Sequence, residues 1–146
     1  MSRYLSLYFT LFLSVLLLSC GHEETERTFS EFEVVHGIGP ITEEMKLGDI
    51  DNELTKKGQQ LFSTLCVMCH NNMDSKVAPS LTGVLERRSP EYVLNMILNP
   101  AGMSRRHPSR VNQQAGYLTS MPFQSITKED ARAIVEYFRV EYSNGR

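Results

Sequence analysis

A chain of 146 residues with 22% charged side chains and a formal net charge of −2 has no basic excess of the kind that holds a nucleic-acid backbone. Its three cysteines are an odd number, which excludes a framework built only of intrachain disulfides. The small net charge is a cancellation. Residues 20–57 hold ten acidic against four basic side chains, whereas residues 58–146 hold ten basic against seven acidic.

Residues 1–19 read as an export signal. Arg3 supplies a positive start, and Leu5 to Leu18 is an apolar run too short to span a bilayer comfortably. It ends in Leu17-Leu18-Ser19-Cys20, which resembles a bacterial lipobox and implies cleavage before Cys20 and acylation of that residue. Several acyl chains on one residue would hold the protein to a membrane surface facing the periplasm or the cell exterior. A plain cleaved signal or an uncleaved anchor are the alternatives.

Residues 20–50 then read as an acidic tether, opening with His22-Glu23-Glu24-Thr25-Glu26-Arg27, and their apolar residues recur with neither helical nor strand period. Within it, His36-Gly37-Ile38-Gly39-Pro40-Ile41 reads as an ordered lead-in packed on a domain edge. A single domain is expected from residue 51 to 146, small enough that an apolar core alone would be marginal.

Asp51 or Asn52 caps a helix in which Leu54, Gly58, Leu61, Phe62 and Leu65 recur at three- and four-residue steps. Gly58 in a helix interior costs roughly 1 kcal/mol relative to alanine, so close approach of another helix is expected there. The helix runs into Cys66-Val67-Met68-Cys69-His70. A Cys-x-x-Cys-His run is the attachment site of c-type haem: both thiols form thioethers to the porphyrin, and the imidazole lies beneath the iron as a ligand. A zinc knuckle would need a second ligand pair, which Cys20, His22, His36 and His107 do not form. A thioredoxin-like dithiol would need a βαβ pattern, which is not visible. With lipid on Cys20 and haem on Cys66 and Cys69, every cysteine is used.

Val77 to Gly83 reads as an extended, turn-rich loop. Ser89-Pro90 starts a helix whose inward face is Val93, Met96 and Ile97, and Asn99-Pro100 ends it. Another short helix is expected from Pro108 to before Gly116. Thr127-Lys128-Glu129-Asp130 resembles a capping box and opens a last helix, to about Tyr142, with Ala131, Ile134, Val135 and Phe138 on one face. No run alternates with period two, so the fold class is all-α, with about four short helices around one haem.

These residues together resemble the class I c-type cytochromes over roughly residues 51 to 142. The resemblance rests on Gly58 with Leu61-Phe62 before the haem motif, on Ala78-Pro79-Ser80-Leu81-Thr82-Gly83, on Met121-Pro122, and on the Ile134 to Phe138 stretch. It implies that His70 and a distal methionine ligate iron, and that the Pro79 carbonyl accepts the His70 Nδ1 hydrogen. Met68 and Met73 lie too close to His70 to reach the opposite face, and Met45 precedes the domain. Met96 faces the core of a helix, where methionine is more often packing. Met121 and Met103 remain; Met121, stiffened by Pro122 and shortly before the last helix, is preferred, with Met103 as the fallback and His107 or an open site as further options. His36 is a weak axial candidate.

A His/Met pair suits outer-sphere electron transfer, and no acid, base or nucleophile set lies near the motif, so no catalysis is expected. Arg87-Arg88 and Arg105, Arg106 and Arg110 are placed to steer an acidic redox partner or neutralise haem propionates. Gly37-Ile38-Gly39-Pro40-Ile41, Lys46-Leu47-Gly48 and Met96-Ile97-Leu98-Asn99-Pro100 are similar to small membrane-tethered cytochromes that accompany nitrous oxide reductase. The reading is thus a tethered electron carrier between a membrane donor and a terminal reductase or oxidase. A haem sensor or peroxidase-like protein with an open sixth position, and a haem-free metal or interaction module, are the alternatives.

Overall fold

A computed structural model describes residues 28–71, 77–109, 116–117 and 119–141. The signal sequence, Cys20, Met73 and Arg110 lie outside them. Among the described residues there are six helices and no strand. They are α1 (Glu31–His36), α2 (Asn52–Leu65), α3 (Val84–Arg87), α4 (Pro90–Leu98), α5 (Pro100–Arg106) and α6 (Lys128–Glu141). None is long and apolar enough to cross a membrane.

The expected all-α architecture is present, with more helices than the four expected. Asp51 caps α2, its Oδ1 accepting from the Glu53 and Leu54 amides at 2.9 and 3.0 Å. Ser89 caps α4 and Pro90 occupies its first turn. The Thr127–Asp130 box is reciprocal: Asp130 N donates to Thr127 Oγ1 at 3.1 Å, and Thr127 N to Asp130 Oδ2 at 3.5 Å.

Asn99-Pro100 does more than stop a helix. Asn99 ends α4 and also caps α5, accepting from the Gly102 amide at 3.2 Å, because a proline that cannot continue one helix is well placed in the first turn of the next. Of the helix expected from Pro108 to before Gly116, Pro108 and Ser109 lie in a turn after α5, and residues 110–115 lie outside the described residues.

Helices α2 and α6 form the principal pair, and they cross at Gly58. A Cβ there would overlap the Ala133 carbonyl and stand 2.9 Å from Tyr137 Cβ. The absent side chain therefore sets the interhelical distance, and the lost helix propensity is repaid in contact between α2 and α6. Around this crossing Phe62, Val84, Val93, Leu94, Ile97, Ala131, Ile134, Val135 and Phe138 make the main core. Phe62 meets Phe138 edge-on with ring centroids 5.5 Å apart.

A second, smaller cluster of Ile38, Tyr92 and Met103 sits under residues 28–50. The described part of the segment read as a tether is thus packed, and it contains α1, whose Ser30–Glu33 capping box is complete. No apolar period revealed α1, because its residues are tied locally and its Val34 and Val35 face solvent.

Four buried polar side chains hold this strap. Asn95, with no exposed surface, donates to the His36 and Ile41 carbonyls at 3.0 and 2.9 Å and accepts from the Ile41 amide at 3.0 Å. Glu91 accepts from the Met45 amide at 2.7 Å, and His107 Nε2 donates to the Glu33 carbonyl at 3.0 Å. Glu136 accepts from the Asp51 amide at 2.8 Å and pairs with Arg132 and Arg139, which also donate to the Leu47 and Gly48 carbonyls. Each buried polar group is satisfied, as burial requires.

Candidate functional site

The last turn of α2 delivers the Cys-x-x-Cys-His run. Cys66 N donates to the Phe62 carbonyl at 2.9 Å, and the amides of Cys69 and His70 return to the Cys66 carbonyl at 3.1 and 2.9 Å. The turn leaves Met68 84% exposed, whereas Cys66, Cys69 and His70 are each half-buried. Both thiols are unbridged. Burial, reinforced by the neighbouring Cys69, pushes the Cys66 thiol up to about 11, so at neutral pH it is not a thiolate. A reactive redox dithiol needs the opposite shift.

His70 Nδ1 lies 2.9 Å from the Pro79 carbonyl oxygen. A carbonyl only accepts, so Nδ1 carries the hydrogen and Nε2 keeps the lone pair that a metal needs. The Pro79–Gly83 loop that supplies this oxygen ends at Gly83, whose φ of 63° starts α3. Arg87, from α3, donates through Nη1 to the Thr82 carbonyl at 2.6 Å and through Nη2 to the Ser80 carbonyl at 3.2 Å.

The remaining ligand candidates are largely occupied elsewhere. Met103 is completely buried in the second cluster, and its Sδ accepts from the Ile38 amide at 3.0 Å. Both His107 nitrogens are used, by the Glu33 carbonyl and by Ser109 Oγ at 2.8 Å. His36 stacks on Phe32 at 4.4 Å, and its Nδ1 contacts Ser89 Oγ at 2.8 Å and Glu91 at 3.2 Å. Met45 and Met96 pack half-buried against the main and second clusters. Met121 lies in the irregular segment before α6, half-buried at the edge of the main core.

Two thiols beside an imidazole whose Nε2 has no partner among the described residues fit a covalently bound haem. Among the described residues no three His, Cys, Asp or Glu side chains gather into a bare-metal site. The arginine pair read as one patch is divided: Arg87 grips the loop, and Arg88 lies over the Tyr92 ring, 4.6 Å from its centroid. The sequence carried no signal for Arg87 as a loop clamp, because only the fold of α3 brings its guanidinium back to the Ser80 and Thr82 carbonyls.

Residues 55–140 match the Cytochrome c family model. Among solved structures, a cytochrome c from Rhodothermus marinus is 37% identical, covering 75% of this chain and 95% of its own, with a TM-score of 0.67. An engineered cytochrome c from Rhodothermus marinus is also 37% identical, covering 77% and 97%, with a TM-score of 0.69. The engineered form bound to a carbene intermediate is 38% identical, covering 77% and 97%, with a TM-score of 0.66. No curated protein matches the chain. With its helices crossing at Gly58 and its single Cys-x-x-Cys-His run, the chain belongs to the cytochrome c family, as a class I c-type cytochrome that carries one covalent haem c and transfers electrons.

Proposed function

We propose that this is an exported, lipid-anchored single-haem carrier that passes one electron at a time from a membrane donor to a terminal reductase or oxidase. Cys66 and Cys69 would hold the haem by thioether bonds, and His70 Nε2 and Met121 Sδ would supply the protein ligands to its iron. Cys20 carries the lipid, a role resting on the lipobox alone. Bound there, the haem supplies a one-electron iron couple.

The protein's own part is positional. The Pro79 carbonyl holds the His70 ring by Nδ1, fixing its tautomer and raising its basicity. Pro122 stiffens the loop that presents Met121. With His70 and Met121 both ligating, protein atoms would keep small molecules off the iron, which favours transfer over catalysis. Exposed Arg88, Arg105 and Arg106 give an acidic partner a surface to approach. Nitrous oxide reductase is the candidate acceptor suggested by the resemblance of the strap and the α4–α5 junction.

The observation that carries this reading is the allocation of donors: His107 has both ring nitrogens bonded and the Met103 sulfur is bonded, whereas His70 Nε2 has no partner among the described residues. The test is the mature protein from an exporting host. Its mass should exceed the processed peptide by one haem and the acyl groups, with a low-spin reduced spectrum. High-spin iron that binds carbon monoxide quickly would instead support the sensor or peroxidase-like alternative. Cys20→Ser should release the protein from membranes, and continued membrane association would point to an uncleaved anchor.

A further inference from the structure

Helix α1 is the first described helix after Cys20, and it carries two solvated valines. Val34 and Val35 are 49% and 54% exposed, while Phe32 and His36 of the same helix stack on one another and His36 meets Ser89 and Glu91 of α4. The end of α5 stands beside α1, because His107 Nε2 donates to the Glu33 carbonyl at 3.0 Å. Exposed Arg105 and Arg106, the two residues before His107, are thereby brought next to α1. Arg106 lines a groove with Ser30, Phe32 and Glu33 and makes no ion pair among the described residues. Against these two cations α1 sets Glu31, since the Glu33 carboxylate is turned to the Ser30 amide at 3.0 Å. Apolar and basic side chains side by side are what an interfacial segment presents to lipid.

So small a patch would bind a bilayer weakly if it were free, but the chain does not leave it free. With the strap packed, ten peptide steps separate Cys20 from Ser30, a reach of about 35 Å at full extension, whereas a chain loose as far as Asp51 would reach about 110 Å. A short tether gives an effective concentration on the order of millimolar, at which a weak contact is occupied. We propose that α1 and the end of α5 form the face that the domain sets against its own bilayer, with Val34 and Val35 entering the headgroup region and Arg105 and Arg106 meeting lipid phosphates. This rests on the acylation of Cys20. It leaves Arg88 as the cation for a redox partner, and it limits that partner to one that docks close to the same membrane.

The test uses the mature holoprotein in vesicles of phosphatidylcholine and phosphatidylglycerol, with a nitroxide label on Val35→Cys. Once Cys20 is acylated and Cys66 and Cys69 are in thioethers, that added thiol is the only free one. The protein is kept reduced, because low-spin ferrous iron does not relax the label. Relative to the same label at Gln60→Cys, on the exposed flank of α2, the label at position 35 should collide at least about threefold less with an aqueous nickel complex and more with membrane-dissolved oxygen. Val34→Glu beside the label should restore access to nickel. Arg105→Gln with Arg106→Gln should restore part of it, as should high salt, which screens the phosphate contacts. Equal nickel access at positions 35 and 60 overturns the inference. So does protection of position 35 that persists in the Cys20→Ser protein free in solution, since the chain itself and not lipid would then cover α1. A mature protein that carries no acyl mass and does not float with the vesicles places the failure in the anchor, and the inference falls with it.

Discussion

The strap side and the haem-motif side of this molecule use polar groups in opposite ways. Under the strap, Asn95, Glu91, His107 and Glu136 are buried and each bonds to backbone of residues 33–51. At the motif, Cys66 and Cys69 are unbridged and, among the described residues, His70 bonds only through the nitrogen facing Pro79. A buried polar group that is fully satisfied marks architecture, and one held in place with a lone pair or thiol to spare marks chemistry. The two methionines in irregular or short-helical sequence part company in the same way: Met103 serves the strap, whereas Met121 lies half-buried at the edge of the main core.

The comparison can be tested by damaging each side and asking what the other notices. The largest effect should come from the element both share. Gly58→Val would drive a side chain into the Ala133 carbonyl, and overpacking at a helix crossing that cannot open should cost about 3 kcal/mol or more. Little folded holoprotein is expected, read as haem incorporated per polypeptide. Near wild-type yield would mean that α2 and α6 can separate.

Next come the two methionines. Met103→Ala empties a fully buried volume and leaves the Ile38 amide without its sulfur, so thermal stability should fall by about 3 kcal/mol while the sulfur-to-iron band of the oxidised protein persists. Met121→Ala should abolish that band at smaller cost in stability, because Met121 is only half-buried. If the band disappears in Met103→Ala instead, the axial assignment passes to Met103.

Asn95→Ala strips the strap of several bonds at one stroke and leaves half-buried Ile41 backbone groups unpaired, for a cost of about 2 kcal/mol. Hydrogen exchange should accelerate at residues 36–45 while the haem spectrum stays as it was. A spectral change would show that the strap reaches the iron.

The smallest effect is the pH dependence. Burial holds His107 below its ordinary 6.5. The unfolded chain therefore takes up a proton that the folded chain refuses, and stability declines as pH drops below about 6.5. Glu91 and Glu136 would be raised by burial, but the Met45 and Asp51 amides, with Ser89 and His36 at one and Arg132 and Arg139 at the other, hold both below 4.5. Their contribution is complete above about 4.5 and is lost as pH falls through their lowered values. The melting temperature should thus fall in two steps as pH is lowered, one beginning below about 6.5 and one beginning below about 4.5, the upper one missing in His107→Gln.

Much of this was legible residue by residue. The haem run, the cap residues Asp51, Ser89 and Thr127, and the glycine at the α2–α6 crossing act through neighbours a few positions away or through a backbone that one missing Cβ exposes. The strap was harder to see. Glu91, Asn95 and Glu136 look like the solvated positions of their helices, and their partners lie 46 to 85 residues distant. The Glu31 to His36 helix has too few apolar residues to show a period.

Covalent chemistry and short-range hydrogen bonding are written in consecutive residues, so the cofactor, its thiols and the helix ends followed from the chain's order. Burial is a property of what lies across the fold, not of the side chain that is buried. Only packing could show that polar residues of α4, α5's end and α6 bind the leading segment as part of the domain, or that Arg87 closes on the loop facing His70.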